Sequence, residues 1–268
     1  MRLKSQNTTA ENNNDEILSC SNIWFSYDGN NIITKNVSLN VKKGEFISIL
    51  GGNGSGKSTL MKLLTKIQKP LKGKIKFAKD TQPSVTQKLY VDRDFYQFRY
   101  YIFPMVHLEQ DTVAKELNIL NVDEIDENTL KLIKFFKIED LLNNHPYDCS
   151  GGEQQKIVIV KSLLNNPDIL FMDEPTKGLD PIFKEELGEK FKELQKNGLT
   201  IIMITHDMDF AADFSQRAWF LFDGNIQIDS DPKELFYNNK FYTTFVNRMV
   251  KNYIPECITL KDLKNTWN

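Results

Sequence analysis

The run Gly51-Gly52-Asn53-Gly54-Ser55-Gly56-Lys57-Ser58 constrains this chain more than any other stretch, because it joins two segments of different periodicity. Ahead of it, Glu45–Leu50 (EFISIL) is short, mostly apolar and reads as a strand. Behind it, Ser58–Ile67 carries a helical pattern. The run fits Gly-x-x-x-x-Gly-Lys-Ser/Thr in the strand–loop–helix setting that such a loop requires. Glycines let the backbone wrap close to an anion and aim N–H groups at phosphate oxygens. The following helix adds partial positive charge at its N-terminus. Lys57 brings a full charge toward the β and γ phosphates, and the Ser58 hydroxyl is a ligand for Mg²⁺. Gly51, Gly52, Asn53, Gly54, Ser55, Gly56, Lys57, Ser58 and Thr59 are therefore the candidate nucleotide-binding residues.

Near-continuous apolar runs recur at Asp168–Met172 (DILFM) and Thr200–Thr205 (TIIMIT), as expected of a parallel sheet covered on both faces. Between them Phe183–Asn197 is an amphipathic helix closed by Gly198, so a right-handed strand–helix–strand unit is expected. Ile17–Tyr27 and Val37–Val41 read as earlier strands, and Arg217–Asp223 with Ile226–Asp229 as a hairpin across Asp223-Gly224-Asn225. Residues 105–147 are acidic and helical in pattern, with no strand, and suggest a helical insertion in the α/β core. An apolar strand ending in Asp173-Glu174 places two carboxylates at the carboxyl edge of a parallel sheet, where open α/β sheets bind ligands. Asp173 is the candidate to hold Mg²⁺ through water, and Glu174 the candidate to orient or deprotonate an attacking water.

Composition excludes several classes. A net charge of −2 offers no whole-chain case for nucleic-acid binding. No apolar stretch approaches the roughly 20 residues of a membrane span. Residues 1–15 are polar and Asn-rich, with no apolar core, and read as a disordered tail rather than a secretory signal, so the chain is expected on the cytoplasmic side. The widely spaced Cys20, Cys149 and Cys257 form neither a disulfide framework nor a metal motif.

Cys149-Ser150-Gly151-Gly152-Glu153-Gln154-Gln155 supplies a second anion-binding pattern. Ser150 can cap a helix running to about Asn165, and Gly151-Gly152 permits close backbone approach to an anion. At this point the sequence resembles the ATP-binding subunits of the ABC superfamily. The run is similar to the signature Leu-Ser-Gly-Gly-Gln, with Cys149 and Glu153 as departures, and Glu174-Pro175-Thr176-Lys177-Gly178-Leu179-Asp180 resembles the family's D-loop region. Thr205-His206-Asp207 resembles the switch-histidine motif, and Tyr27 matches the aromatic that stacks on adenine. The likeness spans about residues 17–230. It implies a P-loop NTPase core with a mixed sheet, N-terminal antiparallel strands and an inserted helical subdomain. Residues 16–232 would form the ATP-binding domain, with the helical subdomain at about 105–165 and a C-terminal helical extension at 233–268.

The resemblance also implies function. Two ATP-binding subunits, identical or related, would pack head to tail, each ATP lying between one phosphate loop and the partner's Ser150–Gly152 tip. Lys57, Glu174 and His206 are the implied catalytic residues, with ATP and Mg²⁺ bound. One element departs. The family's glutamine between phosphate loop and signature is replaced: Tyr101-Ile102-Phe103-Pro104 puts Ile102 there, and Gln97 or Gln110 are the nearby alternatives. Ile102 cannot ligate a hard cation. The aromatics Phe95, Tyr96, Phe98, Tyr100, Tyr101 and Phe103 crowd the same region and are candidates to receive a partner helix or to pack the subdomain. The phosphate loop, the hairpin and Asp231–Phe236 are similar to energy-coupling-factor and cobalt-type import ATPases. Those work with a membrane scaffold protein and a separate substrate-binding membrane subunit for vitamins or metal ions. The implied role is ATP-driven import from the cytoplasmic face of the membrane, without nucleic acid. An alternative is an ATP-binding regulatory subunit of weak hydrolysis beside an active homologue.

Overall fold

The computed structural model describes residues 15–78, 108, 110–119, 121, 125–239 and 242–266, together with the backbone of 99–102. Three strands are buried along their whole length: β3 (Phe46–Leu50), β6 (Ile169–Asp173) and β7 (Thr200–Ile204). They lie side by side and parallel, in register Phe46–Ile201 and Ile169–Thr200. β5 (Arg99–Ile102) extends the row beyond β6, and β8 (Arg217–Phe222) adds in parallel beside β3. β9 (Asn225–Ser230) returns antiparallel, completing a six-stranded mixed sheet of order β5-β6-β7-β3-β8-β9. A second sheet of order β2-β1-β4 is antiparallel, built from β1 (Glu16–Phe25), β2 (Thr34–Lys42) and β4 (Lys72–Phe77). This is the mixed α/β fold that the resemblance implied.

Alternation of side chains divides the core. Leu170, Met172, Ile201 and Met203 face one layer, which includes Phe183, Leu187 and Ile157. Ile47, Ile49, Phe171 and Ile202 face the other, which includes Leu60, Leu63 and the inward residues of β1 and β2. The helices are α1 (Lys57–Leu64), α2 (Val113–Glu116), α3 (Glu127–Phe136), α4 (Gly151–Leu164) and α5 (Pro181–Lys196). α6 (Met208–Phe214), α7 (Pro232–Asn238), α8 (Phe245–Val250) and α9 (Leu260–Thr266) follow. α1 ends three residues before the expected Ile67. The Thr65 hydroxyl bonds back to the Met61 carbonyl at 2.9 Å, and Lys66 turns left-handed at φ 59°. β4 was not expected from the sequence: Lys72–Phe77 (KGKIKF) alternates, but with only two apolar residues, Ile75 and Phe77, among three lysines.

The expected tail at 1–15 lies outside the described residues except for Asp15, as do Gln97 and most of the aromatic cluster; of Tyr100, Tyr101 and Ile102 only the backbone is described. In the 105–147 region, α2 is joined to α4 by a buried charge: Lys161 pairs with Glu116, whose carboxylate also accepts the Gln110 N–H at 2.9 Å. Replacing Lys161 with Met should destabilise the fold by about 2 kcal/mol, because a buried carboxylate loses its charged donor. The midpoint of urea unfolding checks this.

The C-terminal helices pack on the far side of β8. Leu235, Phe236 and Ile258 meet Leu50 and Phe220, and Asn247 donates to the Pro255 and Cys257 carbonyls at 3.0 Å each. All three cysteines are buried and free, and burial pushes the Cys20 thiol up to about 12. At pH 8 the folded protein should therefore react slowly with a thiol reagent and release three equivalents only on denaturation.

Candidate active site at the carboxyl edge of the parallel sheet

The chain leaves β3 at Leu50 and turns through the glycine run into α1. Gly51 adopts φ 148°, and a Cβ there would lie 2.2 Å from the Leu221 carbonyl oxygen. Gly54 and Gly56 take φ 75° and 99°. α1 therefore starts from a left-handed glycine with no side-chain cap. By contrast, Asp126, Ser150, Asp180 and Asp207 each cap their own helix with a side-chain oxygen. The first N–H groups of α1 are thus left to an external acceptor. Lys57 folds back over the loop, donating to the Gly51 and Gly52 carbonyls at 3.0 and 2.9 Å. Burial lowers its pKa, against the opposing pull of Glu174 and Asp173.

The ends of β6 and β7 complete the site. The Ser58 hydroxyl donates to Asp173 Oδ2 at 3.0 Å. Glu174 sits in the left-handed region at φ 53°, an uncommon conformation for a side-chain-bearing residue, held by its N–H bond to the Ile204 carbonyl at 2.9 Å. Glu174 Oε2 accepts the His206 N–H at 3.3 Å. Its Oε1 is buried without a hydrogen-bond partner, 3.7 Å from His206 Nε2. Burial raises the pKa of both Asp173 and Glu174 and lowers that of His206, which Lys57 depresses further. An open cleft of about 450 Å³ is lined by Asn53, Gly54, Gly56, Lys57, Ser58, Thr59, Asp173, Glu174 and His206, with Ile33 and Ile204 as its apolar walls.

Among the described residues no group of three or more His, Cys, Asp or Glu is arranged to hold a metal. The Ser58 hydroxyl beside a buried Asp173 carboxylate is a pair of hard oxygen donors. Such a set suits Mg²⁺, which keeps waters and takes substrate phosphate oxygens rather than a full protein cage.

Other candidates lie around the cleft rather than in it. Tyr27 stands 55 % exposed, its hydroxyl 3.4 Å from Thr59 Oγ1 and its ring edge-on to Phe25 at 4.8 Å. Gly51, Gly52 and Ser55 build the loop without lining the cleft, and Ser55 Oγ is buried with no partner. Ser150, Gly151 and Gly152 are absent from the lining; they begin α4. There the departure at Glu153 has a local role, since it closes a capping box. Its carboxylate accepts the Ser150 N–H at 2.7 Å while Ser150 Oγ accepts the Glu153 N–H at 3.4 Å. Gly152 faces the Gly178 carbonyl, 3.0 Å from where a Cβ would sit. Ile102 pairs in register with Met172, one residue before Asp173, and the exposed Gln110 stays at Glu116. Sequence reasoning missed Ile33 and the role of Asp207, whose type and place before a helix match an N-cap signal.

Comparison with known proteins identifies the family. Residues 34–177 match the family model described as ABC transporter. A protein of Bacillus thuringiensis subsp. konkukian, provisionally named an ABC transporter ATP-binding protein, is 41 % identical over 92 % of this chain and 45 % of its own length. The chain thus spans about half the length of the curated relatives it matches first. The energy-coupling factor transporter ATP-binding protein EcfA of Methanocaldococcus jannaschii is 30 % identical over 82 % of this chain and 81 % of its own. The structure of cbiO1 from Clostridium perfringens, described as part of the ABC transporter complex cbiONQ, superposes with a TM-score of 0.72 at 30 % identity, covering 90 % of this chain and 96 % of that one.

Proposed function

This chain belongs to the ABC transporter family of ATP-binding proteins, and from that premise we propose that it binds and hydrolyses MgATP to power import of vitamins or metal ions through an energy-coupling-factor type membrane partner. The observation that carries the reading is the convergence of Lys57, the Ser58–Asp173 pair, Glu174 and His206, from three neighbouring strand ends, on one cleft. The uncapped start of α1 and the Gly54 and Gly56 turns receive the phosphates. Lys57 exchanges its two carbonyl acceptors for phosphate oxygens. Ser58 and Asp173 would hold Mg²⁺, which would supply positive charge to offset that of the phosphates. Glu174, desolvated and with one free oxygen, accepts the proton of the attacking water. His206 lies beside it and donates toward the terminal phosphate. Tyr27 stacks on the base.

The Ser150–Gly152 tip does not line the cleft of its own phosphate loop, so we assign it to the nucleotide of a second subunit, identical or related, packed head to tail. The Ser150 hydroxyl and the α4 N-terminus then face that subunit's terminal phosphate. Residues 16–232 form the ATP-binding domain, with the helical subdomain at about 105–165, and 233–268 an appended module. A membrane scaffold and a separate substrate-binding subunit complete the assembly at the cytoplasmic face; no helix among the described residues is long and apolar enough to cross a membrane. The test is nucleotide-dependent association followed by sedimentation. MgATP should draw the Glu174→Gln chain into a dimer with itself or with its homologue, and adding Ser150→Glu should reverse this. A chain that stays monomeric with every partner would exclude the shared-site arrangement. Ile102 in place of a cation-ligating glutamine favours a second reading, an ATP-binding regulatory subunit of weak hydrolysis. Under it, Ile102→Gln raises turnover severalfold; under the first, it changes little.

A further inference from the structure

The ring of His206 is held by little besides Glu174; its side chain is 51 % exposed, so its placement depends on the backbone of residues 205–207. That backbone is clasped from one side. Asp207 Oδ1 caps α6 by accepting the Phe210 N–H at 3.0 Å, and the Asp207 N–H donates to Thr205 Oγ1 at 2.9 Å. The other carboxylate oxygen, Asp207 Oδ2, accepts from Lys184 Nζ at 2.9 Å, across 23 residues of chain. Lys184 stands on a rigid support. Its helix, α5, is capped by Asp180 and anchored by the buried Phe183, Leu187 and Phe191. We propose that Lys184 is a positioning residue, whose ammonium holds, through Asp207, the loop that carries His206 at the mouth of the cleft. The inference rests on the proposed hydrolytic reading for its catalytic consequence and on the geometry alone for the clasp.

Partly exposed ion pairs contribute little to global stability, so losing this one should leave the fold intact. Misplacing a reacting group by a fraction of an ångström to an ångström costs rate rather than binding. The full chain is therefore compared with Lys184→Met and Lys184→Arg by MgATP turnover, by binding of a fluorescent ATP analogue, by thermal unfolding, and by the histidine ring signals in NMR. The chain has three histidines, and the His206 signal is the one lost in His206→Gln. Lys184→Met should lower kcat about 10-fold. KM, analogue affinity and Tm should stay near parental values, and the His206 ring signal should shift or broaden. Lys184→Arg should restore both rate and signal. Parental kcat with a parental ring signal in Lys184→Met overturns the proposal. So does a rate loss matched by a fall in Tm or a rise in KM, or a failure of arginine to rescue. If Glu174→Gln turns over like the parent, or the parent does not turn over, the hydrolytic reading fails. The ring signal then decides the clasp alone: displaced, it stands; unmoved, it falls.

Discussion

Glu174→Gln should reduce ATP turnover at least 100-fold while leaving nucleotide binding within a few-fold of the parent, as measured by phosphate release and by equilibrium binding of an ATP analogue. Glutamine is nearly isosteric and still offers an oxygen to the His206 N–H, which now meets Glu174 Oε2 at 3.3 Å. The substitution therefore removes proton acceptance and little else. Glu174 is the suited group because its Oε1 is buried without a partner and its pKa is raised by burial. A base works best when its pKa approaches the working pH, and removing general base catalysis typically costs 10²–10⁴-fold, roughly. Turnover at the parental rate would take the base assignment away from Glu174 and leave the cleft as a binding site only.

Gly51→Ala should destabilise the protein by about 3 kcal/mol and weaken nucleotide binding more than 100-fold, by denaturant titration and analogue binding respectively. The cause is backbone against backbone. At φ 148° a Cβ falls 2.2 Å from the Leu221 carbonyl oxygen, and β8 cannot retreat because it is paired to β3 and β9 on both sides. Relief comes only by moving the loop, which redirects the carbonyls that hold Lys57. The neighbouring Gly54→Ala provides the control for crowding, since nothing lies within 4 Å of its added methyl, leaving only the strain of φ 75°. Equal losses in both variants would show that conformational strain, not contact with β8, rules the loop.

Much of the candidate site was legible in the chain because its chemistry is local. Gly51–Ser58, the strand ending in Asp173-Glu174 and the strand ending before His206 each declare a strand edge by composition, and each lies where it was expected. Tyr27 is a weaker match. It touches Thr59 but does not line the cleft. β4 and β5 escaped notice because they are short, β4 with only two apolar residues to carry its alternation, and it is pairing with β1 and β6 that secures them. Glu153, a departure when set against a motif, has a physical reason in the capping box with Ser150.

The order of residues by itself determined which groups exist to meet a phosphate: a glycine loop before a helix, a lysine, a hydroxyl and two carboxylates at the ends of apolar strands. A short-range pattern suffices for that, since backbone torsion and helix polarity depend on neighbours in the chain. Only the tertiary structure decided that β3, β6 and β7 lie side by side, bringing residues 57, 173 and 206 to one cleft while setting Ser150 apart from it. It also decided that Lys184 reaches Asp207. Those are contacts between distant segments, and burial of both sheet faces, rather than any local preference, selects them.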